Sequence, residues 1–194
     1  SKLGGHLARP GVIELAFVQG KSFNKITHAY LVKEFALAES EDLFFLSAIF
    51  ETVLEVFRGE ERDYGMWEML LGVLEVLLQT KDKEKRKFIL NIFLIKIIGS
   101  IGYNLKLDNC VLCGNAVSAP YRFNFFERGF VCPVCAHNEL PMSPNNFLLL
   151  KKITEDNSLR NFDILKRDND ELFVFLKKYL DFCLERKIKS LESI

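Results

Sequence analysis

Long apolar runs are scarce in this 194-residue chain. The most apolar stretch, 88–98, is too short to cross a bilayer and contains Asn91 and Lys96. No basic start leads into an apolar core, so no signal peptide is expected, and with it no oxidising compartment. The chain also lacks net charge: 26 Lys and Arg offset 26 Asp and Glu. Internal repeats, a phosphate-binding P-loop, a dinucleotide fingerprint, an HExxH helix and a nucleophile elbow are all missing. Acidic side chains are common, but they sit on helix surfaces or in first turns, and no two are singled out for acid–base work. The sequence thus offers no catalytic constellation, and an enzyme is not expected. What remains is a chain 49% hydrophobic with 18 phenylalanines, enough to bury a sizeable core in one or two domains.

The charge that is present is unevenly spread. Residues 1–38 carry five basic against two acidic side chains, and residues 39–105 carry eight against twelve. Clustered Lys and Arg neutralise phosphates, so Lys2, Arg9, Lys21, Lys25 and Lys33 are candidate contacts to a polyanion. Ordinary solvation of a basic surface is the alternative, and charge alone does not separate the two.

The stretch from Asp108 to His137 organises the rest. It holds Cys110-x-x-Cys113 and Cys132-x-x-Cys135, with eighteen residues, 114–131, between the pairs. Two thiolates of a C-x-x-C reach one ion from a tight turn, and a second such turn completes a tetrahedral shell. The spacing lies in the four-cysteine zinc window. The linker fits a hairpin: Tyr121, Phe123 and Phe125 alternate, Glu127-Arg128-Gly129 makes the turn, and Phe130-Val131 returns. Two disulfides would need an oxidising compartment. A thioredoxin-type redox site would need a βαβ setting. Four thiolates close the shell to water, so one structural zinc ion held by Cys110, Cys113, Cys132 and Cys135 is expected rather than a catalytic one. His137 reads as a surface histidine, and Cys183 as a thiol packed among core residues.

In chain order, Val12–Val18 and Ile26–Phe35 read as strands joined by a turn at 19–22, with Ile26, His28, Tyr30 and Val32 on one face. Two strands alone are marginal in water, so the hairpin needs neighbours. Helices follow. The first starts at Ser40, puts Leu43, Leu46, Phe50, Val53 and Phe57 on one stripe, and ends at Gly59. The second, 64–79, has Trp67, Leu70, Leu71, Leu74, Leu77 and Leu78 at helical spacing. The third, 83–102, is apolar almost all round and should be central. Ser143-Pro144 opens a short helix to about Ile153. Residues 154–168 read as a loop, and 169–188 as a last helix with Leu172, Phe173, Leu176, Leu180, Cys183 and Leu184 inward.

The third helix and the cysteines together carry a family likeness. The run from Phe93 through Gly102-Tyr103 to Asp108, Cys110, Cys113 and Gly114 resembles the bacterial RecO DNA-repair family. So do Ser1-Lys2-Leu3-Gly4-Gly5-His6-Leu7, Val12-Ile13-Glu14-Leu15 and Gly20-Lys21. The resemblance implies a mainly α fold, with a helical domain at 39–194 that carries an inserted four-cysteine zinc finger at 108–137. Residues 1–38 would be a partial β-segment from late in an OB-fold barrel whose first strands are not in this chain; such a barrel needs five strands and about two can be found. It further implies a cytoplasmic, nucleoid-associated recombination mediator. Members bind and anneal single- and double-stranded DNA, pair with RecR, and contact the acidic tail of the single-stranded-DNA-binding protein. Where relatives commonly place arginine just before the residue matching Phe93, this chain has Asn91 and Ile92. Lys87, one turn before Asn91, and Arg86 are therefore the expected cations for that tail. A zinc-stabilised scaffold that binds only proteins is the alternative.

Overall fold

The computed structural model describes residues 4–8, 10–21, 23–36, 40–57, 63–155 and 169–194. It divides into two compact units, Ser1–Leu43 and Phe44–Ile194.

The first unit is built on a hairpin. A four-residue helix α1 (Gly4–Leu7) precedes strands β1 (Gly11–Gln19) and β2 (Asn24–Glu34). They pair antiparallel from Gly11↔Glu34 to Gln19↔Asn24, with register shifts at Val12/Ile13 and Ala16/Phe17. Of the strand residues, Ala29 is buried, whereas Phe17, Val18, Tyr30 and Val32 are exposed. The β-propensity of these stretches made them strands without giving either face a full cover.

Helices α2 (Ser40–Val56), α3 (Tyr64–Gln79), α4 (Lys83–Ser100), α5 (Pro144–Glu155) and α6 (Asp170–Leu184) follow, so the fold is mainly α. The centre of the second unit is α4, which packs against α3, α5 and α6. Every residue from Arg86 to Ile95 on it is buried. Each fully buried Leu, Ile or Phe there is worth about 1.5–3 kcal/mol over leaving it in water. Asp82 caps its start by accepting from the Lys85 N–H at 3.1 Å. Its end closes on Gly102 at φ 81°. There the Gly102 N–H donates to the Gly99 carbonyl and the Tyr103 N–H to that of Ile98, a closure that needs a left-handed residue.

The stripes differ in detail from those expected. On α2 the buried side chains include Phe45, Leu46, Ala48, Ile49 and Thr52, with Asp42 also buried, while Leu43 and Phe50 are exposed. On α3 Met66 and Val73 are buried and Trp67 is 47% exposed. A helix rich in apolar residues has several possible stripes, and packing chose a neighbouring one. On α6 Phe175 and Tyr179 are buried with Leu172, Leu176 and Leu180, and Cys183 is half-buried. The short helix α5 runs to Glu155, past its expected end. The rest of the expected loop, and Gly59, lie outside the described residues. A final 3-10 turn, Lys189–Ser193, returns to α2. The N–H groups of Lys189 and Ser190 donate to the two Glu51 carboxylate oxygens at 3.1 and 2.7 Å.

Candidate metal centre

Between α4 and α5 the chain forms a small sheet, order β4-β3-β5, from β3 (Tyr121–Asn124), β4 (Gly129–Val131) and β5 (Leu140–Met142). Strands β3 and β4 make the expected hairpin, with Phe123 opposite Phe130 and Asn124 opposite Gly129. Strand β5 was not read in the sequence: Leu140-Pro141-Met142 is short and its proline weakens the strand signal. The alternation on β3 turns Phe123 inward, 0% exposed. Its ring stands edge-on to Phe130, Phe175 and Tyr179, with centroids 5.2, 4.9 and 5.1 Å away. The sheet is thereby seated on α6.

The cysteines hang from the edge of this sheet. Cys132 directly follows β4. The first pair is tied to the same strand, because the Val111 N–H donates to the Phe130 carbonyl at 3.0 Å. Each pair sits on a tight turn: the Gly114 N–H reaches back to the Cys110 carbonyl at 2.9 Å, and the N–H groups of Cys135 and Ala136 reach the Cys132 carbonyl at 3.0 Å. The crossing leaves no room at Gly129, where a Cβ would meet Val111 Cγ1 at 2.4 Å.

All four Sγ atoms of Cys110, Cys113, Cys132 and Cys135 lie within 4.8 Å of one another. Cys113 Sγ and Cys132 Sγ are 3.6 Å apart. Four sulfurs placed about 2.3 Å from a common ion would be about 3.8 Å apart, so the cluster fits a tetrahedral centre. The protonation balance fits as well. Burial works to raise the Cys110 thiol, but N–H donors from Cys132, Leu112 and Cys113 outweigh it and bring it down to about 6. Cys135 is pushed up to about 12, chiefly by its hydrogen bonds to Cys113 and Cys132, then by burial and the charge of Cys110. One thiolate forms readily and makes the next costly. A divalent cation removes that repulsion. The four cysteines could therefore hold a metal ion.

His137 is exposed. Cys183, in α6, is raised to about 11 by burial.

The other candidate residues are not members of this cluster. Lys2 and Arg9 lie outside the described residues. Lys21, Lys25 and Lys33 are exposed on the hairpin, the last two on the same side of β2 by its period of two. Arg86 and Lys87 are not surface cations: they are 1% and 8% exposed. Lys87 Nζ is paired with the Asp170 carboxylate, Arg86 Nε donates to the Thr80 carbonyl, and the guanidinium stands over the Phe45 ring. They are buried because α4 is covered already in its first turns.

The fold and the site define a helical domain that carries a sheet-borne cluster of four cysteines able to hold a metal ion. A family described as recombination protein O, C terminal, matches residues 38–192, and the chain belongs to that RecO family. It is 27% identical over 198 residues to the DNA repair protein RecO of Dehalococcoides mccartyi strain CBDB1, covering 98% of this chain and 77% of the relative. With its namesake in Acetivibrio thermocellus it shares 23% over 191 residues, 93% of this chain and 74% of the relative. With that of Chlorobium limicola it shares 28% over 123 residues, 61% and 46%. Among the described residues no helix is long and apolar enough to cross a membrane.

Proposed function

We propose that this chain works by binding rather than catalysis, as a cytoplasmic recombination mediator that brings complementary DNA strands together. The observation that carries this reading is the family match across 38–192. Single- and double-stranded DNA, RecR and the acidic tail of the single-stranded-DNA-binding protein are the proposed partners. One zinc ion on Cys110, Cys113, Cys132 and Cys135 would supply folding energy and no chemistry. Lys21, Lys25 and Lys33, with Lys2 and Arg9, are the proposed phosphate contacts. Fluorescence anisotropy of a labelled oligonucleotide against salt tests this. Affinity should fall steeply with salt, and each phosphate contact removed by charge reversal should lower the slope by roughly one. Unchanged affinity and slope in a Lys21, Lys25, Lys33 triple reversal would remove the hairpin from the DNA surface and favour a scaffold that binds only proteins.

For the acidic tail, Lys87 and Arg86 remain the proposed cations. Since Lys87 is paired with Asp170, an incoming carboxylate has to displace that side chain. Asp170→Asn should then tighten binding of a labelled tail peptide, whereas equal or weaker binding would place the tail elsewhere.

A further inference from the structure

A cavity of about 530 Å³ opens beside the finger, between the end of β3 and the segment that runs from the last cysteine pair into β5. One wall is aromatic: Phe123, Phe125 and Phe126. That wall is fixed from behind. Phe125 lies 5.6 Å from the Phe182 ring of α6, and Phe126 stands edge-on to the same ring at 5.4 Å. Even so, Phe126 is 83% exposed, a large apolar ring held in place at a loop tip and facing water. The rest of the lining comes from the segment that ends in β5, with His137, Glu139 and Leu140. Among the described residues that line the cavity, Glu139 is the one carboxylate, with the His137 imidazole as its titratable neighbour.

The Glu139 carboxylate is positioned, not floating. Its Oε2 accepts the His137 N–H at 2.6 Å. That bond first, and the Asn124 side chain further down, outweigh burial and hold the carboxyl below its usual range. An anion kept charged beside fixed aromatic faces is the reciprocal of a guanidinium, which stacks on rings and donates to carboxylates. A nucleic acid fits this cavity less well, because its phosphates would meet the carboxylate. The neighbouring cation is also turned away: Arg122 Nη1 donates to the Glu139 backbone carbonyl at 3.3 Å.

We propose that this cavity is a protein-docking site that receives an arginine side chain of a partner, stacked on the Phe125–Phe126 wall with its charge on Glu139. The site is separate from the DNA surface proposed above and does not depend on it.

Acetyl-Gly-Arg-Gly-amide, titrated into the metal-loaded, 15N-labelled full chain, is the probe. Its citrulline counterpart, neutral and of the same shape, is the control. The arginine peptide should shift the amide signals of Asn124, Phe126 and Asn138, and the citrulline peptide should bind at least about tenfold more weakly. Glu139→Gln should bring the arginine peptide down to the citrulline level. Phe126→Ala, at a ring too exposed to matter for folding, should weaken it severalfold. Equal binding of the two peptides, wild-type binding by Phe126→Ala, or no shift at these signals would overturn the proposal. So would a mixed-sequence single-stranded oligonucleotide that shifts them where the arginine peptide does not, since the occupant would then be a base.

Discussion

Phe123→Ala is the perturbation that asks whether the finger and the helices share one core. The ring is 0% exposed and makes edge-to-face contacts with Phe125, Phe130, Phe175 and Tyr179. Deleting a buried phenylalanine costs about 3–5 kcal/mol, more where the site cannot collapse. Here collapse is opposed because β3 is paired on both sides, to β4 and to β5. The lost aromatic pairs add a further share, so a cost near the top of that range, about 5 kcal/mol, is expected. For a protein of this size each kcal/mol moves the midpoint by about 2–4 °C, which gives a fall of about 10–20 °C. Phe126→Ala removes the same atoms from a ring that is 83% exposed, and should stay within about 0.5 kcal/mol. Thermal unfolding of the metal-loaded chains, followed by circular dichroism, makes the comparison. Equal midpoints for the two variants would refute a shared core.

Two further outcomes follow from the site and its surroundings. Elemental analysis of chain purified under reducing, chelator-free conditions should find one zinc per chain, and chelation should remove order from residues 108–137 while the helices persist; absence of metal would refute the assignment. Glu171 joins α6 to α5 by accepting from the Ser143 N–H at 2.9 Å and the Asn146 amide at 2.5 Å. Burial works to raise its carboxyl, but the Ser143 and Asn146 donors win and hold it below the usual value. A depressed carboxylate stabilises above its unfolded pKa and loses that contribution as pH falls through the folded one. Denaturant midpoints should therefore drop on acidification below about pH 4.5, more for the wild type than for Glu171→Gln; parallel profiles would show that Glu171 contributes nothing.

Much of the molecule was legible because its signals are local. The cysteine spacing names its own geometry, and an all-round apolar run can only be a helix with neighbours on every side. The strands 12–18 and 26–35, legible by β-rich composition and by alternation respectively, lie within a residue or two of β1 and β2. What was missed depends on contacts between distant segments. Trp67 looked like a core residue by type, yet the stripe that packs is centred on Leu70 and Val73. The burial of Lys87 and Arg86 had no signal in the sequence either, because the partner of Lys87 is Asp170, 83 residues further on. Glu139 gave no signal in sequence: only the fold brings it into one cavity lining with Phe125 and Phe126.

The cysteine cluster, the aromatic core and the cavity form one chain of dependence. Cys132 is fixed by the metal turn and by β4, and β4 fixes the position of Phe123 through Phe130. Phe123 in turn holds Phe125, and α6 holds Phe126 through Phe182. The rest of the lining begins two residues after Cys135, at His137, whose N–H donates to Glu139 before the chain enters β5. The aromatic side is thus held by α6, and the other side runs from the last cysteine turn into β5, which pairs with β3. A closed four-sulfur shell has no position for a reactant. A metal ion held there would brace the turn from which the 136–139 segment departs, beside the β3–β5 pairing that already joins the two sides of the cavity. Such an ion would act on the proposed docking site through geometry, from outside its lining.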